Sequence, residues 1–246
     1  MPKIPGKDSV GVRGPKSRNA VIVRLTVVLL VLFCISLIVG PVDISLGEIF
    51  SSIISGFRQD NGEFHNGMVF WFVRLPRCLL TVLVGAGLSV SGAVYQGLFR
   101  NPLVSPDILG VSAGATFGAA LGLLLPGANL ALIHVLAFFF EMVAVFMALA
   151  IAQFVAVRPL LVLVLAGFIV LSLFNSSITI TKFLADPYNE LPAIIFWIMG
   201  SMSRADWPAV ITVGVVTLVG LVFFHILRYR LNVLSLGDLQ SQYPLG

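Results

Sequence analysis

Charge is what this sequence has little of. Only 11% of its 246 residues are Asp, Glu, Lys or Arg, while 58% are hydrophobic; soluble domains run at about 25% charged and about 45–50% apolar. So few polar groups exclude a water-soluble globule, because the chain has nothing with which to cover its apolar surface. Lipid is the solvent it fits. Cysteine is scarce as well: Cys34 and Cys78 both lie within or beside apolar runs, share no metal-type spacing, and read as reduced, packed thiols. No H-E-x-x-H and no Walker A motif occurs, which excludes a zincin site and a nucleotide-hydrolysing P-loop. The net charge of +4 does not indicate nucleic acid, since the basic residues gather on no binding motif.

What is present is long apolar runs. Crossing a hydrocarbon core of about 30 Å takes roughly 20 apolar residues. Six candidates meet that need: Ala20–Val39, Leu79–Phe99, Ile108–Leu125, Leu130–Val157, Leu160–Leu184 and Ala209–Leu227. The expected fold class is all-α, a polytopic membrane helix bundle. Ala193–Met202 is apolar but too short to cross. Residues 1–19 hold Gly, Pro, Lys, Arg and Ser and read as a disordered tail, leaving 20–246 as the membrane domain. The first run is too long for a signal-peptide core and five more follow it, so it is expected to be retained.

Basic residues set the expected orientation. With the N-terminus in the cytoplasm, the inner segments collect Lys3, Lys7, Arg13, Lys16, Arg18, Arg24, Arg100, Arg158, Arg228 and Arg230. The outer ones collect Arg58, Arg74, Arg77, Lys182 and Arg204. Positive residues favour the cytoplasmic side, so the N-terminus is expected inside. Trp71, Trp197 and Trp207 then fall on the outer side.

Between the second and third runs lies LFRNPLVSPDILGVSAG, Leu98 to Gly114. Pro102 and Pro106 push the residues before them out of helical geometry. Asp107 suits the first turn of the next helix, whose dipole favours an anion. A simple helical hairpin turn accounts for all of this. The flanking runs carry small residues at four-residue steps: Gly85, Ser89, Ala93 and Gly97, then Gly110, Gly114, Gly118 and Gly122. Such stripes let helix backbones approach closely in lipid, so both helices are expected inside a compact bundle.

The stretch RLPRCLLTVLVGAGLSVSGAVYQGLFRNPLVSPDILGVSAGA resembles the signature region of the FecCD-type permeases, the membrane subunits of ABC importers for iron-siderophores, haem and cobalamin. LVLAGFIVLSLF, IIFWIMGSMSRADW and LNVLSLGD extend the resemblance from about Val42 to Asp238. It implies the type II ABC importer permease fold and import of an iron-siderophore or related metal chelate across a bacterial or archaeal cytoplasmic membrane. The implied partners are an ABC ATPase subunit, which binds the ATP so that this chain needs no cofactor, an extracytoplasmic substrate-binding protein, and a second permease copy or paralogue. No enzyme activity is implied.

The resemblance also assigns roles. Arg74 and Arg77 of RLPR become outward cations that bind carboxylates on the binding protein; their spacing of three places both on one side of a starting helix. Read without the resemblance, they also suit anchoring at lipid headgroups. Leu234, Ser235, Leu236, Gly237 and Asp238 become the start of the segment that couples to the ATPase, or a plain amphipathic turn. The continuation LQSQYPLG, with Pro244, departs from the acidic, alanine-rich helix usual in the family. Ser172, Asn175, Ser176 and Thr179 form one polar stripe, which suits either the translocation pathway or hydrogen bonding between helices.

Glu141 is an acid deep inside a span, with His134 seven residues before it; an ionised acid there costs at least roughly 3 kcal/mol, so it is expected to face the protein interior or be protonated. One His and one Glu are too few for a metal site. An intramembrane enzyme and a non-transporting scaffold or remnant are the competing readings. Family members of this type have ten spans against six here. The membrane domain is therefore expected to be incomplete, and the chain alone to insert without supporting ATP-coupled uptake.

Overall fold

The computed structural model describes residues 15–45, 47, 64–102, 104–127, 129–154 and 159–236. Among them the elements are helical: α1 (Pro15–Ile38), α2 (Phe64–Val69), a π-helical turn (Phe70–Arg74), α3 (Leu75–Phe99), a 3-10 turn (Pro106–Leu109), α4 (Val111–Leu124), α5 (Leu130–Gln153), α6 (Pro159–Leu184), α7 (Glu190–Met199) and α8 (Trp207–Leu236). The chain divides into two units, residues 1–79 with 205–207 and residues 80–204 with 208–246. The helix starting at Pro15 shortens the expected tail; residues 1–14 lie outside the described residues.

Among the described residues, five apolar helical stretches are long enough to cross a membrane: Asn19–Ile38, Gly67–Phe99, Leu130–Gln153, Leu161–Leu184 and Trp207–Asn232. The expected third span differs. Its helix has only 14 residues, about 21 Å at 1.5 Å per residue, because Gly110 (φ 74°) breaks it from the 3-10 turn before it. A short helix is tolerated at membrane depth when protein rather than lipid surrounds it. That condition holds here, for six residues of α4 are buried.

The second unit is built around α4. Gly114 and Gly118 bring its backbone against that of α5: a methyl on Gly114 would stand 2.5 Å from the Phe140 carbonyl oxygen, and one on Gly118 2.7 Å from the Leu136 carbonyl carbon. Ala113, Ala144, Ala148, Val170 and Phe174 fill the centre with Leu109. Phe117 joins them, meeting Phe140 edge-on at a ring distance of 4.9 Å. Ala120, Ala185 and Ile194 form a second cluster that seats α7. With lipid outside, the gain is close van der Waals contact rather than escape from water.

Among the described residues the stripe on α3 has no such partner. Gly85, Ser89 and Ala93 are exposed, and a methyl on Gly85 or Gly97 would meet nothing within 4 Å. Of the two helices expected inside the bundle, only α4 has its stripe enclosed.

Helix ends are closed locally. Arg100 adopts φ 50°, and its N–H bonds Gly97 O (3.3 Å) while Asn101 N–H bonds Gln96 O (3.2 Å). This is a Schellman cap with arginine in the left-handed position, followed at once by Pro102. At the start of α5 the Asn129 side chain accepts from Leu132 N–H at 2.8 Å. Asn129→Ala is expected to cost about 1 kcal/mol, read as a small drop in thermal midpoint in detergent.

Candidate functional site

The segment around RLPR begins with a local conflict. Pro76 has no N–H, and its ring collides with the carbonyl four residues back, that of Phe72. The helix answers by widening: Leu75 N–H reaches back five residues to Phe70 O, and Phe70–Arg74 form a π turn. Such turns are rare and shift every later side chain around the helix axis. Arg74 ends the wide turn, and Arg77 follows three residues later in the first turn of α3.

Arg74 is 7% exposed. Its Nη1 donates to Leu37 O (2.8 Å) and Ile38 O (2.6 Å), and its Nη2 donates to Val42 O. The first two oxygens are among the last carbonyls of α1, which have no partner within their own helix. Gly40 makes room: a methyl there would stand 2.8 Å from Nη2. Nearby, Ser36 Oγ and Cys78 Sγ lie 3.2 Å apart, with Cys78 buried. Arg77 is half-buried. Trp207 Nε1 donates to Trp71 O at 3.1 Å, tying the first turn of α8 to the π turn.

The polar stripe of α6 is brought together as expected, and Ser172, Asn175, Ser176 and Thr179 are all exposed. Their hydroxyls do not cross to another helix. Ser172 donates to Phe168 O (2.9 Å), Ser176 to Ser172 O (2.9 Å) and Thr179 to Asn175 O (3.0 Å), each within its own helix. Leu234, Ser235 and Leu236 end α8, while Gly237 and Asp238 lie outside the described residues. Glu141 is half-buried, close enough to Tyr95 of α3 to interact with it electrostatically. His134 turns instead towards Trp197, at a ring distance of 5.8 Å.

The hairpin between α3 and α4 carries two features that sequence reading missed. Gly110 to Gly114 spell G-x-S-x-G, the pattern of a hydrolase nucleophile elbow. Here Ser112 follows a 3-10 turn rather than a strand, and its hydroxyl donates to Asp107 Oδ1. The pattern is a turn, not an elbow. The other feature is Gly167, where α6 receives that turn: a methyl would stand 2.9 Å from the Ile108 carbonyl carbon and 3.0 Å from Leu109 Cα. A single glycine in an apolar helix gives no signal of such a contact.

A family model described as the FecCD transport family matches residues 28–244. The chain belongs to the FecCD transport family. Among its relatives, the molybdate import system permease protein MolB of Haemophilus influenzae is 32% identical over 245 residues, covering 93% of this chain and 67% of MolB. The hemin transport system permease protein HmuU of Yersinia pestis is 34% identical over 178 residues, covering 70% of this chain and 52% of HmuU. A solved structure described as an inward-facing conformation of a metal-chelate type ABC transporter aligns with a TM-score of 0.75 at 31% identity. That alignment covers 91% of this FecCD chain and 67% of the other. The chain thus spans between half and two thirds of the length of these relatives.

Proposed function

We propose that this FecCD chain is the membrane permease subunit of a binding-protein-dependent ABC importer for a metal chelate, an iron-siderophore above all. Supporting this are the family match along residues 28–244 and relatives named for molybdate and hemin. The observation that carries a transport role is the polar face of α6. Ser172, Asn175, Ser176 and Thr179 are exposed on a helix long and apolar enough to span, and the Asn175 carboxamide has no hydrogen-bond partner among the described residues. An unsatisfied amide facing hydrocarbon costs several kcal/mol, roughly 4–8 on the cyclohexane reference. Such a face belongs against protein or a hydrated path, and this reading assigns it to the substrate pathway.

In this reading the protein lies in a bacterial or archaeal cytoplasmic membrane with its N-terminus inside. Leu234–Asp238 contact the ATPase subunit, a second permease copy or paralogue completes the pathway, and a substrate-binding protein docks near Arg74 and Arg77. Co-purification tests it. The chain is expected to bring down an ATPase subunit whose hydrolysis rises when a substrate-binding protein of this importer type is added. A chain that folds in the membrane yet recruits no ATPase would remove the importer reading.

A further inference from the structure

We infer that Trp207 is a side-chain latch on a carbonyl that Pro76 removes from its own helix ladder. The bond holds the first turn of α8 to the π turn before α3, and it can open without unwinding either helix.

The acceptor exists because of Pro76. In a π turn each carbonyl accepts from the N–H five residues on, and Leu75 N–H goes to Phe70 O in this way. The next carbonyl, that of Trp71, would accept from residue 76, which is proline and has no N–H. Its α-helical donor would be Leu75 N–H, already given to Phe70. The ladder therefore supplies Trp71 O with no donor. Pro76 is fully buried and Phe70 is 3% exposed, so this part of the turn is packed, and buried main-chain carbonyls are nearly always paired. The Trp207 indole, from 136 residues away, donates to Trp71 O through Nε1 at 3.1 Å, a normal hydrogen-bond length.

Tryptophan suits this task, since its indole carries one N–H at the edge of a large, rigid apolar body. Residues 205–207 group with residues 1–79, the unit that holds the π turn, so α8 starts where the bond is made. Pro208 follows in a first turn whose N–H groups have no partner within the helix, and so costs α8 nothing. Breaking a ladder bond unwinds a turn of helix. The Trp207 bond lies outside both ladders, and a small shift of one ring opens it.

The test uses the chain in lipid nanodiscs, with thermal midpoint and hydrogen exchange as readouts. Replacing the Trp207 indole by benzothiophene, its sulfur isostere, keeps the ring shape and deletes the N–H. The midpoint is expected to fall by about 2–4 °C, the effect of one hydrogen bond in a chain of this size. Exchange is expected to rise about fivefold at the peptide bearing Ile211 and Thr212, near the start of α8, and to stay as in the parent through α5 and α6. Pro76→Ala supplies the missing N–H. In that background the isostere is expected to cost less than half as much, because Trp71 O then has a donor in its own helix.

An unchanged midpoint and unchanged exchange in the isostere overturn the latch, since only the N–H has gone. Equal losses in the two backgrounds refute the part played by Pro76. Faster exchange throughout α5 and α6 makes the bond a general prop and sinks the inference. Should Pro76→Ala fail to accumulate, the isostere decides alone. A joint rise at the α8 peptide and at the one bearing Phe70–Leu75 sustains the latch, and a rise at one of them only overturns it.

Discussion

Gly118→Leu is expected to abolish accumulation of folded protein, with Gly114→Leu close behind. Overpacking a core usually costs about 1–3 kcal/mol, because neighbours shift and rotamers strain. Here the obstacle is main chain. A methyl on Gly118 would stand 2.7 Å from the Leu136 carbonyl carbon and 2.9 Å from Ala137 Cα, and one on Gly114 2.5 Å from Phe140 O. No rotamer moves a helix backbone, so α4 would have to leave α5 entirely, giving up the packing of Ala113, Ala144 and Phe117 as well. A loss of more than about 4 kcal/mol places such a change among the exceptional ones. Gly85→Leu is the control, since nothing lies within 4 Å of a methyl there. Fluorescence-detected size exclusion of tagged variants measures the outcome. Equal yields for Gly118→Leu and Gly85→Leu would show that the α4–α5 contact does not hold the unit together.

Gly167→Ala is expected to be nearly as damaging, through a different contact. The added methyl would strike the Ile108 carbonyl, and Leu109 Cα lies 3.0 Å away. The 3-10 turn Pro106–Leu109 would lift off α6, carrying with it buried Leu109 and the left-handed Gly110, whose own position is packed against the Leu171 backbone. A fall in stability of about 3 kcal/mol is expected, the upper range for overpacking. Shortening Ile108 to Ala is expected not to rescue the variant, because the collision is with backbone. Rescue by Ile108→Ala, seen as a restored thermal midpoint, would place the strain in side chains instead.

These two glycine contacts mark where sequence reading succeeds and where it stops. Composition alone settles the solvent, since a chain 11% charged and 58% hydrophobic has no means of covering itself in water. Length and apolar runs locate α1, α3, α5, α6 and α8, because a bilayer imposes a minimum length, though α1 begins five residues before the expected start and α8 runs nine residues past the expected end. The polar stripe of α6 was legible from three- and four-residue steps, and the structure keeps all four residues on an exposed face. Periodicity gives the phase of side chains around one helix, and nothing about what stands opposite.

That second question belongs to tertiary structure. The stripes on α3 and α4 have the same spacing, yet among the described residues only the one on α4 has a helix pressed against it. Gly167 stands alone in its helix, and its role depends on a turn nearly sixty positions earlier in the chain. Arg74 and Arg77 stand three residues apart, and nothing in that spacing shows that the carbonyls receiving Arg74 come from residues 32 to 37 positions away. Local sequence determines where helices form and which of their faces are polar, because those depend on neighbours along the chain. Which glycine bears a backbone contact and which arginine turns inward depend on atoms distant in sequence, and only the folded chain brings them together.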